Sequence, residues 1–130
     1  MELTENELKK RLMIQDASFL TASEKILIQD KIEDSNQLSL LTIKDISSLI
    51  QRDITRAKWN GKQLYHKANT ALFLINTLGI NYTFCNDEDY PAMLREMKDP
   101  PFCIFYRGDL NCLKNECVSV VGTRKAGYYG

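Results

Sequence analysis

The apolar periodicity of the chain changes at Gly79. Before this residue, apolar side chains recur every three or four positions, which is the period of an amphipathic helix. The longest stripe predicts a helix from about Gly61 to Leu78, with Gly79 suited to a left-handed helix end; it consists of Leu64, Ala68, Ala71, Leu72, Ile75 and Leu78. After Gly79, short β-branched and aromatic runs predict strands. The sequence therefore divides into a helical domain, residues 1–78, and a segment with strands, residues 79–130.

Three shorter helices are predicted before the long one. Thr4, Thr21 and Thr42 each precede an apolar repeat and suit the N-cap position, where a hydroxyl accepts from a first-turn amide. Glu7 and Glu24 follow the first two at the spacing of a capping box. Helices of this length are marginal in isolation, so we expect them to pack on one another as a small bundle.

Three runs after Gly79 have the composition of strands. They are Ile80–Cys85, Phe102–Tyr106 and Cys117–Val121. The sequence Asp99-Pro100-Pro101 ends a short helical turn before the second run, because proline cannot continue the helical ladder. The third run is apolar almost throughout, which is typical of a strand buried on both faces of a parallel sheet.

A glycine and basic residues directly follow the third run. Gly122 allows a sharp turn close to an anion, while Thr123, Arg124 and Lys125 supply a hydroxyl and positive charge. If a helix begins directly after such a loop, the amides of the helix N-terminus and the loop can bind phosphate together. The spacings of a Walker loop and of the dinucleotide fingerprint are both absent. The alternative to phosphate binding is that Gly122 is required only for the sharp backbone turn between a strand and a helix.

The composition excludes a chain that is basic overall. The 130 residues carry 17 Lys/Arg and 17 Asp/Glu, so nucleic acid would have to be bound by a local cluster. No apolar run approaches the roughly 20 residues of a membrane span, and the acidic N-terminus lacks the basic region of a signal peptide. We therefore expect a cytoplasmic protein without membrane contact. The four cysteines contain no C-x-x-C pair, and neither a metal site nor a cofactor is predicted.

One local cluster lies near the start of the long helix. Lys58, Trp59, Lys62 and Lys67 combine positive charge with an aromatic ring, as proteins that bind single-stranded nucleic acid do. A solvated helix face with one packed indole is the alternative. The sequence leaves both interpretations open.

An ordered series of short motifs extends from Ile80 to Gly130. It consists of Tyr90-Pro91, Leu94, Asp99-Pro100-Pro101, Phe105-Tyr106-Arg107-Gly108-Asp109-Leu110, Val120-Val121-Gly122-Thr123-Arg124 and Tyr129-Gly130. In this order the motifs resemble the DprA/Smf family of DNA-processing proteins. One departure is Gly127, where members of the family more often have serine or threonine, so one hydroxyl donor is missing. The helical segment resembles the variable N-terminal domain of the family, which is similar to a sterile-alpha-motif (SAM) or helix-hairpin-helix (HhH) bundle.

The resemblance implies an α+β chain, with a SAM/HhH-like helical bundle followed by the first strands of an incomplete Rossmann-like domain. It implies a non-enzymatic protein that binds single-stranded DNA, helps to load a RecA-type recombinase during natural transformation, and forms a homodimer at full length. By position, Gly122, Thr123, Arg124 and Lys125 would contact DNA phosphates, which gives affinity without sequence preference. The motifs around Asp99 and Arg107 would belong to the structural frame.

The family continues beyond this loop with further basic motifs and strands. We therefore expect the chain to be the N-terminal part of a longer protein. Two other functions remain open: part of a Rossmann-like nucleotide-processing enzyme, since fold alone does not fix activity, and a helical module that binds only protein or DNA.

Overall fold

Most of the helices precede the sheet. A computed structural model describes residues 3–130 of the chain. Within that range the elements are α1 Glu5–Gln15, α2 Ala22–Lys31, α3 Ser35–Leu40, α4 Ile43–Ile50, α5 Gly61–Leu78, β1 Asn81–Phe84, α6 Ala92–Arg95 and β2 Cys103–Tyr106, followed by a 3₁₀ helix at Leu110–Lys114. The fold is therefore α+β, as the sequence predicts.

The predicted helix starts are confirmed. Thr4, Thr21 and Thr42 are the N-caps of α1, α2 and α4, and full capping boxes form at Thr21 and Thr42. At the first cap only half of the box forms, because the Glu7 carboxylate binds basic side chains one turn further along α1. Helix α3, which begins after Asp34, was not predicted from the sequence.

The long helix α5 has the bounds that its apolar stripe predicts. Gly79 ends it in the left-handed conformation, with φ of 60°, where a residue without Cβ is favoured. Ala68, Leu72 and Ile75 are buried, whereas Leu78 at the end of the stripe is exposed. The helix packs mainly along α1 and α3. No helix within residues 3–130 combines the length and apolar character needed to cross a membrane.

Two buried lysines join α1 to α2. Lys10, with 4% of its surface exposed, donates to the carbonyls of Gln29 and Ile32 at 2.9 and 2.8 Å. In the opposite direction, Lys25 donates to the carbonyl of Gln15 at 3.2 Å. Each lysine thus satisfies carbonyls at the C-terminal end of the other helix, where intrahelical donors run out.

The two strands form an antiparallel pair. Asn81 lies opposite Tyr106, and Phe84 lies opposite Cys103. Phe84 and Phe102 are buried in the same apolar core as Met13 of α1. The sheet therefore packs against the helices. The division of the chain at residue 78, and the likeness to SAM/HhH and Rossmann-like folds, stay predictions.

The prediction of a third strand is wrong. Cys117–Val121 has no strand structure in the described part of the chain, and Val118 and Val121 are 90% and 91% exposed. A strand is stabilised by hydrogen bonds and packing from its neighbours, and no strand of residues 3–130 lies beside this run. The sheet is accordingly antiparallel, where the sequence pattern predicted a parallel one.

An ion pair joins the start of α2 to the end of α4. Arg52 donates to both carboxylate oxygens of Glu24, at 2.9 and 2.8 Å. Glu24 also accepts from the Thr21 amide at 3.0 Å as part of the α2 capping box. Arg52, with help from the Thr21 amide, lowers the pKa of Glu24 to about 2.

Replacing Lys10 with methionine should lower the free energy of unfolding by about 3 kcal/mol, because the Glu7 carboxylate and two carbonyls lose a buried partner. Urea unfolding followed by circular dichroism measures the change. Lys31→Met, at an exposed position on α2, is the control and should change stability by less than about 0.5 kcal/mol. Equal effects of the two substitutions would contradict the capping role of Lys10.

Glu24 should make the stability of the protein depend on pH in acid. Its pKa is lowered in the folded state, so its contribution is complete above the ordinary value of 4.5 and is lost as pH falls toward about 2. The urea midpoint of the wild type should therefore fall more steeply over this range than that of Glu24→Gln. Glu5→Gln, an exposed change on α1, should follow the wild type; parallel curves for all three proteins would contradict the prediction.

Candidate nucleic-acid interface

The residues predicted to bind phosphate lie together on the surface. Gly122, Thr123, Arg124 and Lys125 are all exposed, and residues 122–130 form bends and turns. A Cβ at Gly122 would meet no atom of residues 3–130 within 4 Å. The loop is therefore open, and within residues 3–130 no helix begins directly after it. The assignment of these four residues to phosphate binding stays a prediction.

The Thr123 hydroxyl makes a hydrogen bond within the loop. Its Oγ1 donates to the Lys125 carbonyl at 2.7 Å, which curves the backbone around Arg124. Because this bond is exposed to water, its net contribution is modest. A phosphate oxygen can therefore replace the carbonyl as acceptor at low cost.

Charged and aromatic side chains are adjacent in this segment. Arg124 and Lys125 have no carboxylate within ion-pair distance among residues 3–130. Three residues later, Tyr128 and Tyr129 are fully exposed, with their rings edge to face at 5.7 Å. Exposed rings a few residues from unpaired cations are suited to stacking on bases while the cations contact phosphates. The tyrosines were not assigned to the site from the sequence, although only two residues separate them from the basic pair.

The other motif residues hold the frame together. Tyr90 is buried and its hydroxyl donates to the Pro101 carbonyl at 2.7 Å. Asp99 accepts from the Ala22 amide at 2.7 Å, in the first turn of α2. Arg107 donates to the Leu78 carbonyl at 3.3 Å, at the end of α5. The structural role predicted for the Asp99 and Arg107 motifs agrees with these contacts.

The acidic turn after β1 is also structural. Asp87 accepts from the Phe84 amide at 2.9 Å, and Asp89 accepts from the Thr83 hydroxyl at 2.6 Å. Arg11 of α1 lies 3.5 Å from Asp87 and over the Phe84 ring, with its guanidinium carbon 5.0 Å from the ring centre. These carboxylates therefore fix the turn and connect it to the helices.

The two buried cysteines lie at the sheet, Cys103 in β2 and Cys85 directly after β1. Burial raises the pKa of Cys103 to about 12 and also raises the pKa of Cys85. Cys112 and Cys117 are free and exposed. Among residues 3–130, no group of three or more His, Cys, Asp or Glu side chains is arranged to bind a metal ion.

Comparison with known proteins finds relatives of this chain. A sequence model of the family described as DNA recombination-mediator protein A matches residues 81–130. The DNA processing protein DprA of Bacillus subtilis (strain 168) is 34% identical over 70 residues. The protein Smf of Borreliella burgdorferi (strain ATCC 35210 / DSM 4680 / CIP 102532 / B31) is 30% identical over 121 residues. No solved structure matches the chain.

Both relatives are much longer than the regions that align. The alignment with DprA covers 53% of this chain and 24% of the relative. The alignment with Smf covers 89% of this chain and 36% of the relative, so it includes much of the helical segment. The chain thus spans about a quarter to a third of the length of these relatives.

Asp99→Ala should lower the free energy of unfolding by about 1 kcal/mol, because an amide in the first turn of α2 loses its acceptor. Asp99→Asn keeps an acceptor oxygen and should recover most of the loss. Urea unfolding measures both. Glu88→Ala, an exposed change in the preceding turn, is the control; a similar loss there would show that the Asp99 contact is not specific.

Proposed function

This chain belongs to the DprA/Smf family of DNA-processing proteins, and from that membership we propose that it binds single-stranded DNA in recombination. The observation that carries the proposal is the family match over residues 81–130, which includes the exposed loop Gly122–Lys125. In the family that this sequence resembles, the corresponding turn lies at the DNA-binding pocket. We assign Gly122, Thr123, Arg124 and Lys125 to phosphate contacts on this basis.

The chemistry of the loop supports this assignment. The Arg124 guanidinium is planar and permanently charged, so it can donate two hydrogen bonds to one phosphate. Lys125 adds charge without a fixed geometry, and the exposed backbone near Gly122 leaves room for a close approach. All of these contacts go to the backbone of the nucleic acid, so they would bind any sequence.

The proposal extends to the fold around the loop. In a protein of the relatives' length, Cys117–Val121 would be a strand of a Rossmann-like sheet, which would bury the valines that are exposed here. The turn after that strand would then hold Gly122 and Arg124 at the edge of the sheet, next to a helix N-terminus. The helices of residues 1–78 would form the SAM/HhH-like domain.

The cellular role follows from the same family. We propose a cytoplasmic protein that assists a RecA-type recombinase on single-stranded DNA during natural transformation and that forms a homodimer at full length. We propose binding, not catalysis, as its activity. Cleavage of nucleoside monophosphates by the purified protein would support the alternative of a nucleotide-processing enzyme.

Arg124→Ala should weaken the binding of oligothymidylate about tenfold, because one charge-assisted phosphate contact is lost. Fluorescence anisotropy of a labelled oligonucleotide measures the affinity. Each phosphate contact to a single strand contributes about 0.7 to the slope of log affinity against log salt, so the slope for the variant should be smaller by about that amount.

Lys98→Ala is the control for Arg124→Ala. It removes one positive charge from an exposed position outside the loop and should leave the affinity within about twofold of the wild type. An Arg124 variant with unchanged affinity and salt slope would show that the loop is not the phosphate site.

A further inference from the structure

A cleft lies between the α1–α2 connection and the start of α5. Its volume is about 560 Å³. Phe19 and Trp59 line it with aromatic surface, and Lys58 and Lys67 line it with positive charge. Neither the loop at Gly122–Lys125 nor the family match over residues 81–130 includes any of these four side chains. We call it the Trp59 cleft.

The aromatic surface of the cleft is held in place. The Trp59 indole donates its N–H to the Leu41 carbonyl at 2.8 Å. Phe19 packs on it edge to face, with 6.4 Å between ring centres. Both rings are half-buried, so each keeps some surface toward solvent. A ring fixed in advance loses little conformational entropy when a ligand stacks on it.

The backbone beside Trp59 is fixed as well. Gly61, the first residue of α5, packs so closely on the backbone of Ser39 that a Cβ there would overlap the Ser39 carbonyl oxygen. The Trp59 and Gly61 contacts therefore both attach the start of α5 to the segment around the end of α3. The position of the indole is set by the bundle.

The cations of the cleft are available to a ligand. Lys67 lies 3.4 Å from Asp16, and the two side chains are 60% and 49% exposed. An ion pair this exposed contributes little to stability, so Lys67 can exchange Asp16 for a phosphate. Lys58 is exposed and has no carboxylate within ion-pair distance among residues 3–130. Gln63, which is exposed, also lines the cleft.

We propose that the Trp59 cleft binds a base and an adjoining phosphate of single-stranded DNA. The base would stack on the Trp59 surface, and Lys58 and Lys67 would contact the phosphate. An acidic peptide would also be attracted by the lysines, but it would not use the fixed aromatic surface. The inference rests on the proposed function, because the ligand is the same DNA. It adds a second contact region, on the helices, to the one predicted in the loop.

Trp59 provides a direct measurement because it is the only tryptophan of the chain. Stacking of a base on the indole should quench its fluorescence when the 130-residue protein is titrated with an oligothymidylate of about 12 nucleotides. Anisotropy of the same labelled oligonucleotide reports total binding. The double variant Lys58→Gln, Lys67→Gln should need roughly fivefold more DNA for half-maximal quenching, since two charge contacts are lost.

A matched control removes the same charge elsewhere. Lys31 and Lys44 are exposed and do not line the cleft. The double variant Lys31→Gln, Lys44→Gln should keep the quenching midpoint of the wild type to within about twofold. Equal losses in the two double variants would overturn the proposal, since only net charge would matter. Polyglutamate that quenches Trp59 as strongly as DNA would also overturn it, in favour of an acidic polypeptide.

The two readouts separate this inference from the proposed function. Binding by anisotropy without quenching of Trp59 would overturn the cleft and leave the proposed function in place. Quenching that persists in Arg124→Ala supports the cleft even if the loop assignment fails. If the wild type shows neither binding nor quenching, both proposals are wrong.

Discussion

The pair of buried lysines between α1 and α2 is the interaction on which the remaining structure depends. Lys10 and Lys25 each carry a charge into the interior and place it on carbonyls at the end of the opposite helix. A buried ammonium is tolerated only where oxygen acceptors replace its water, so the register in which the two helices pair is tied to these carbonyl contacts. That register also presents Arg11 and the first turn of α2 to the sheet, where Arg11 lies over Phe84 and Lys25 over Phe102.

The sheet is attached to the helices through their ends. Asp99 accepts from the first turn of α2, and Arg107 donates to the last turn of α5. These helix ends have unpaired amides or carbonyls that need partners. One motif residue precedes β2 in the chain and the other follows it. A two-stranded antiparallel pair is marginal alone. Its stability here comes from packing on the helices and from these end contacts.

Much of this fold is predictable from local chemistry. The bounds of α5 follow from its stripe and from Gly79, and three helix starts follow from threonine caps. By contrast, α3 is too short and polar to show a helical period, and its start depends on Asp34. Lys10 and Lys25 carry no sequence signal of burial, because a lysine is usually exposed and only the packed helices supply their acceptors. Cys117–Val121 has the composition of a strand, but composition does not provide a neighbouring strand to pair with.

The same distinction applies to the candidate contacts with DNA. The loop residues were predicted from the sequence because glycine, hydroxyl and arginine in that order have a chemical meaning, yet none of the loop residues is buried among residues 3–130. Ordering it around a phosphate would cost roughly 1–2 kcal/mol for each backbone residue fixed. The Trp59 cleft is the reverse case: its residues are dispersed in sequence, but Leu41, Phe19 and Ser39 already hold its walls. We therefore expect the ordered cleft to contribute more to the proposed affinity for single-stranded DNA than its two lysines alone would suggest. The loop should contribute chiefly where a surrounding sheet fixes it.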